Sequence, residues 1–240
     1  MGFAKEIKEG TKKSHTAAEN TGFVKNFLKG VVSKDSYKTL IADFYFIYRA
    51  LEEECDKHKD NPALSPILSD SLKRVTNIER DLRYFYGPNW RAIIKPTDSC
   101  QSYVNRIREV EPELLVGHHY TRYLGDLSGG QILRNIASKA LKLEDEGLWF
   151  YDFKDIEDPK AFKTEYRAAL DNLPLKDKEA VINEANHAFK LNMYVFDEIQ
   201  GNAAKGFLKY LWSLVTSGSV SYTHLRAHET REDSVLRVLV

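Results

Sequence analysis

The chain has 240 residues, with 35 Lys and Arg balanced by 35 Asp and Glu, so no general attraction to nucleic acid or to an anionic membrane is implied. Hydrophobic residues make up 42%, enough for one sizeable core. Two cysteines, Cys55 and Cys100, supply neither a disulfide framework nor a metal cluster; with no apolar signal core at the start and no run near the roughly 20 residues that span a bilayer, the chain reads as soluble, intracellular and without a membrane anchor.

Residues 3–20 read as a first helix. Lys8, Lys12, His15 and Glu19 recur at steps of four, three and four, which places them in one narrow stripe. Alone, such a stripe is a solvated charged face. A carboxylate one turn beyond a histidine is more pointed. Glu19 can reach the His15 ring and fix its tautomer, as outer-shell groups do for metal-bound imidazole, leaving the other ring nitrogen for a metal. Gly22 and Gly30 bracket a short helix. Ser33-Lys34-Asp35 then opens a long one to about Lys59, with Leu40, Ile41, Phe44, Ile47, Tyr48 and Leu51 at helical spacing. Tyr45 and Tyr48 fit core packing with satisfied hydroxyls.

Pro62 and Pro66 mark a loop, and an amphipathic helix is expected over 70–86, stopped by Gly87-Pro88. Pro96-Thr97-Asp98 caps a helix over 98–109, with Tyr103, Ile107 and Val110 inward. Pro112 suits the first turn of the helix that follows. His118 and His119 are neighbours and point about 100° apart, so both read as non-ligands. Next comes Tyr120-Thr121-Arg122-Tyr123-Leu124-Gly125-Asp126-Leu127-Ser128-Gly129-Gly130-Gln131. Glycines inside a helix cost about 1 kcal/mol each relative to alanine. Gly125 and Gly129 are four apart and share a face, so backbone is expected against something flat, or the helix is expected to bend. Leu127-Ser128-Gly129-Gly130-Gln131 also spells the signature of ABC-type ATPases. That reading needs a phosphate loop, and Gly125 to Gly130 is followed by Gln131 rather than lysine.

Glu144-Asp145-Glu146-Gly147 is a turn, and Trp149, Phe150, Tyr151 and Phe153 read as loop aromatics packed on the core. Asp158-Pro159 starts a helix bearing Lys163 and Arg167 on one side, by themselves a solvated pair. A final helix runs from near Asp177 to about Ile199, or on to Leu214, with Phe189, Asn192 and Phe196 on one face. The segment 206–215 is short and broken by Lys209, so it is not an anchor. From about Gly218 the text changes character. His224 and His228 form only a nominal metal pair, and 218–240 reads as a vector-derived or adapter tail outside the fold.

Two stretches carry a family likeness. Glu111 through Gln131 closely resembles the distal-helix signature of the heme oxygenases, and Lys8 to Glu19 resembles their proximal helix. The likeness spans about 1–215, with the domain expected over 1–217. It implies an all-α single domain that holds heme b, as both substrate and prosthetic group, between the two helices. His15 is then the axial iron ligand, backed by Glu19. Lys8, Lys12, Tyr120, Lys163 and Arg167 lie at the heme propionates, and Ser128, Phe189 and Phe196 beside the ring. Gly125 and Gly129 let backbone approach the ring and confine oxygen. Asp126, with Arg122, Tyr48 and Asn192, forms the distal hydrogen-bond and water network that delivers protons. Family members usually carry a small residue where His119 stands, which is a departure.

The implied reaction takes heme, O2 and electrons to biliverdin, the IX-alpha isomer expected, with carbon monoxide and ferrous iron. Gly201-Asn202 and the absence of a lipid anchor resemble the soluble, ferredoxin-coupled branch of cyanobacteria and plastids. That branch implies reduced ferredoxin as donor, a downstream bilin reductase as possible recipient, and a cytoplasmic or plastid-stromal setting. The alternatives are a non-catalytic heme carrier or sensor on the same fold, and a helical interaction module without a cofactor.

Overall fold

The computed structural model describes residues 2–216, with side chains as far as 201. The expected tail from 218 onward, with His224 and His228, and the boundary at 217 lie outside the described residues. Among the described residues there are helices and turns and no strand. The helices are α1 (Phe3–Glu19), α2 (Gly22–Leu28), α3 (Lys34–Lys57), α4 (Val75–Tyr86), α5 (Trp90–Ile93), α6 (Asp98–Glu109), α7 (Leu115–His119), α8 (Gly125–Leu141), α9 (Pro159–Asp171) and α10 (Lys178–Thr216).

The long helix α10 is the spine, and α1, α2, α3, α6 and α7 all pack on it. The helix starts follow from local chemistry. Ser33 accepts from the Ser36 amide, Thr97 from the Cys100 amide, and Asp158 from the Lys160 and Ala161 amides. α3 buries Leu40, Ile41, Phe44, Ile47, Tyr48 and Leu51, the apolar stripe expected from spacing. Tyr103 and Ile107 are buried as expected, while Val110 is half-buried at the helix end.

Two expectations need correction. The helix expected from residue 70 starts at Val75, behind a 3-10 turn at Asp70–Leu72. The reason is Glu52, whose Oε1 accepts from the Arg74 and Val75 amides at 2.6 and 3.1 Å and so caps α4 from a distant helix. The second concerns the glycine-rich segment. Its irregularity is not at the glycines but just before them: Tyr120–Leu124 forms a π-helical turn between α7 and α8. One extra residue per turn re-aims Arg122 inward, and it is buried.

α7 also lies very close to α10. A Cβ on Gly117 would sit 2.8 Å from the Ala185 amide nitrogen and 2.9 Å from the Val181 carbonyl oxygen, so only glycine fits that crossing. Behind α8, the aromatic run 149–153 is held by Asp81, which accepts from the Trp149 and Phe150 amides at 2.9 and 2.8 Å. Phe150, Tyr151 and Phe153 are buried there.

Candidate functional site

Four elements converge on one carboxylate. Tyr48 comes from the middle of α3, Arg122 from the π turn, Asp126 from the first turn of α8 and Asn192 from α10. Arg122 Nε and Nη2 donate to the Tyr48 hydroxyl at 3.0 and 2.9 Å, and Nη1 donates to Asn192 Oδ1 at 2.8 Å. Tyr48 donates onward to Asp126 Oδ2. Arg122 Nη2 lies 3.7 Å from Asp126 Oδ1, a one-turn pair closed within the segment. The guanidinium is packed over the Phe44 ring at 4.5 Å.

Burial dominates the electrostatics of this cluster. It pushes the Asp126 carboxyl above the usual carboxylate range, against the pull of Arg122, the Tyr48 hydrogen bond and Arg74. It opposes the charge on Arg122 as well, but Tyr48, Asp126 and Tyr103 outweigh it and the guanidinium stays charged. The Tyr48 phenol is pushed well above its ordinary value, so it remains a neutral donor. A carboxyl lifted by burial and tethered to a fixed cation is suited to holding and yielding a proton.

The α1 side is built differently. The His15 ring meets Phe189 of α10 edge-on, with centroids 5.6 Å apart at 77°. Its Nδ1 is 3.5 Å from Glu19 Oε1, a buried oxygen with no hydrogen-bond partner. Among the described residues nothing bonds His15 Nε2. Phe189 and Asn192 are one turn apart on α10, so a single turn touches both His15 and Arg122. Further along that helix, half-buried Phe196 stacks on Phe23 at 5.7 Å and 12°.

Cations and open backbone complete the picture. Lys8, Lys12 and Arg167 are exposed and Lys163 is half-buried; none forms an ion pair among the described residues. α1 and α9 pack together, and Asp171 at the end of α9 accepts from the Ala4 amide at 2.7 Å. The Tyr120 hydroxyl interacts with Thr11 of α1 and feels the charge of Arg167. Gly125 is exposed, and a Cβ there would meet nothing within 4 Å, so protein packing does not require its bareness. Gly129 is buried and Ser128 half-buried.

These features fit heme. An imidazole nitrogen without a partner, an orphaned carboxylate oxygen behind it, unpaired cations and a bare stretch of helix suit a flat, apolar ligand with a ligatable metal and two carboxylates. The two adjacent histidines are engaged within the protein. His118 Nε2 lies 2.9 Å from Glu184 Oε1, and His119 Nδ1 lies 2.8 Å from the Tyr166 hydroxyl. Two neighbours were not anticipated from sequence. Tyr123 packs on Tyr48 at 5.6 Å, and buried Arg74 helps hold Asp126 charged. Tyr123 lies inside the quoted motif, but no pattern in the sequence singled out Arg74.

Comparison with known proteins gives a consistent picture. The heme oxygenase family model matches residues 1–198. A relative from Synechocystis sp., heme oxygenase 1, is 52% identical over 210 residues, covering 85% of this chain and 88% of its own. The heme oxygenase of the red alga Porphyra purpurea is 54% identical over 209 residues, covering 85% and 89%. A crystal structure of the cyanobacterial heme oxygenase-1 in complex with heme superposes with a TM-score of 0.84 at 50% identity, covering 90% of this chain and all of that one.

Proposed function

The chain belongs to the heme oxygenase family, and from that premise we propose that it opens heme at one meso carbon, giving biliverdin IX-alpha, carbon monoxide and ferrous iron at the expense of O2 and reduced ferredoxin. The observation that carries the reading is the closed Tyr48–Arg122–Asp126–Asn192 network beside the open backbone at Gly125. Bound heme supplies both the iron that activates oxygen and the ring that is oxidised.

The protein's part is orientation and proton supply. His15 Nε2 would ligate the iron, and Glu19, whose Oε1 lies 3.5 Å from Nδ1, would set the ring's tautomer. Phe189 and Phe196 give apolar surface. Lys8, Lys12, Lys163, Arg167 and Tyr120 receive the carboxylates at the rim, where Arg offers two parallel donors. Gly125 and Gly129 let the α8 backbone close over the oxygen site, with Ser128 between them, and restrict which ring edge is within reach. Asp126 holds the proton to be delivered through ordered water. Arg122 fixes Asp126 by way of Tyr48, and Asn192 fixes Arg122.

The donor assignment is supported by the identity to cyanobacterial and red-algal relatives. Rim cations also give an acidic, one-electron carrier a complementary landing site. On this reading the enzyme works in a cytoplasm or plastid stroma, and a bilin reductase consumes its product. The test is turnover of the heme-loaded protein with reduced ferredoxin. Loss of the Soret band, carbon monoxide release and a single IX-alpha bilin are expected. Heme that stays intact under both ferredoxin and a chemical reductant would sink the reading.

A further inference from the structure

His119 is a buried, polar residue of the distal segment that the reaction does not use. Its Nδ1 meets the Tyr166 hydroxyl of α9 at 2.8 Å, and the two rings stack at 5.7 Å, only 8° from parallel. Its other side packs on Tyr123 at 4.4 Å. Tyr123 in turn packs on Tyr48, the donor to Asp126. Four rings therefore run without a break from α9 to the distal carboxylate.

The positions at the two ends give this ladder its meaning. At the α9 end, Tyr166 follows Lys163 by one turn and directly precedes Arg167, so the three side chains share one short piece of helix. The backbone of α9 packs on α1 and on the turn Ser65–Ile67, and the His119–Tyr166 pair adds a direct link to the distal segment. Two residues before His119, Gly117 lies on the opposite side of α7, seated against the α10 backbone. α7 is thus pressed onto α10, and the imidazole spans the width left between α7 and α9. The bond does not switch near neutral pH: burial alone pushes the His119 imidazole down to about 3, and burial, with Cys55 and Tyr120 adding to it, pushes the Tyr166 phenol far up.

We infer that His119 is a positioning residue: through Tyr166 it fixes the α9 cations relative to the Asp126 network, and so fixes which edge of the bound macrocycle is presented for cleavage. The inference rests on the proposed roles of Lys163 and Arg167 at the heme carboxylates.

Three variants test it, His119→Ala, His119→Phe and Tyr166→Phe, with Ile78→Ala in α4 as a control for lost core packing. Three readouts are taken. The first is amide exchange across residues 160–170 of the heme-free protein. The second is the preference for heme over its dimethyl ester, from spectral titration. The third is the bilin isomer ratio. His119→Ala should speed α9 exchange about tenfold, cut the preference for the free acid about fivefold and spread the product over more than one isomer. His119→Phe keeps the stack and loses the bond, so it should fall between, and Tyr166→Phe should match it. The Ile78→Ala control should lower Tm and move none of the three. Were His119→Ala to behave like the control, the inference would be overturned. If wild-type protein binds heme but never opens it, the proposed function fails while exchange and ester preference still decide this point.

Discussion

The two faces of the site are finished to different degrees. On the distal face the central polar groups are tied to one another within the protein: Arg122 uses Nε, Nη1 and Nη2, Tyr48 both accepts and donates, and Asn192 Oδ1 closes the set. On the α1 face His15 Nε2 is bare, Glu19 Oε1 is buried without a hydrogen bond, and four cations have no carboxylate. The difference teaches where each kind of precision is needed. A group that delivers a proton must be aimed before its substrate arrives, because reorganisation during the reaction raises the barrier. A group that binds a ligand does better unsatisfied, since a prior partner would have to be displaced.

That contrast can be broken from the finished side first. Replacing Arg122 by Met leaves Asp126 buried without its cation and should cost about 3–5 kcal/mol of stability, read by urea unfolding. A loss under 1 kcal/mol would mean the network is not a unit. Next comes the frame beneath it, where Glu184 of α10 is gripped by Arg106 of α6 at 2.9 Å and by His118 of α7 at 2.9 Å. Burial works to raise its carboxyl, but these two partners win and hold it at about 2 rather than 4.5. Such a depressed acid contributes stability that is complete above 4.5 and disappears as pH falls through 2. The wild-type protein should therefore lose up to about 3 kcal/mol across that window, and Glu184→Gln should show a flatter acid limb from a lower plateau.

Smaller effects sharpen the comparison. Asp126→Ala should leave heme affinity within about twofold yet reduce bilin yield about 100-fold, the usual size for a positioned acid or base. Unchanged yield would remove Asp126 from the mechanism. Glu19→Gln should weaken heme binding about tenfold and shift the axial-imidazole spectrum, as loss of an outer-shell carboxylate does. Equal effects of the last two variants on binding would erase the distinction between the faces.

How much of this was legible in sequence follows the range of the interaction. The His15–Glu19 pair and the Arg122–Asp126 pair are each one helical turn apart, so helical spacing alone brings them together. The caps at Ser33, Thr97 and Asp158 are equally local. What stayed hidden is cross-chain. Glu52 caps α4 from 22 residues away, and Glu184 finds His118 across 66. No spacing rule encodes such partners. The short helix α5 was missed because four residues carry too little periodicity. The π turn was hidden for a further reason: Tyr120–Leu124 reads as ordinary helix-compatible text, and only tertiary packing selects the wider winding.

That wider winding has a consequence for how the segment tolerates change in length. Deleting one residue between Tyr120 and Leu124 would let α7 and α8 merge into one regular rod with better internal bonding. A π turn spends one more residue than an α turn on about the same rotation, so the excision would leave Gly117 near its seat on α10 but would turn Arg122 away from between Tyr48 and Asn192. The smoother helix would be the inert one. In this protein one extra residue, absorbed by the wider turn, faces Arg122 inward while the two halves of the distal segment stay in phase.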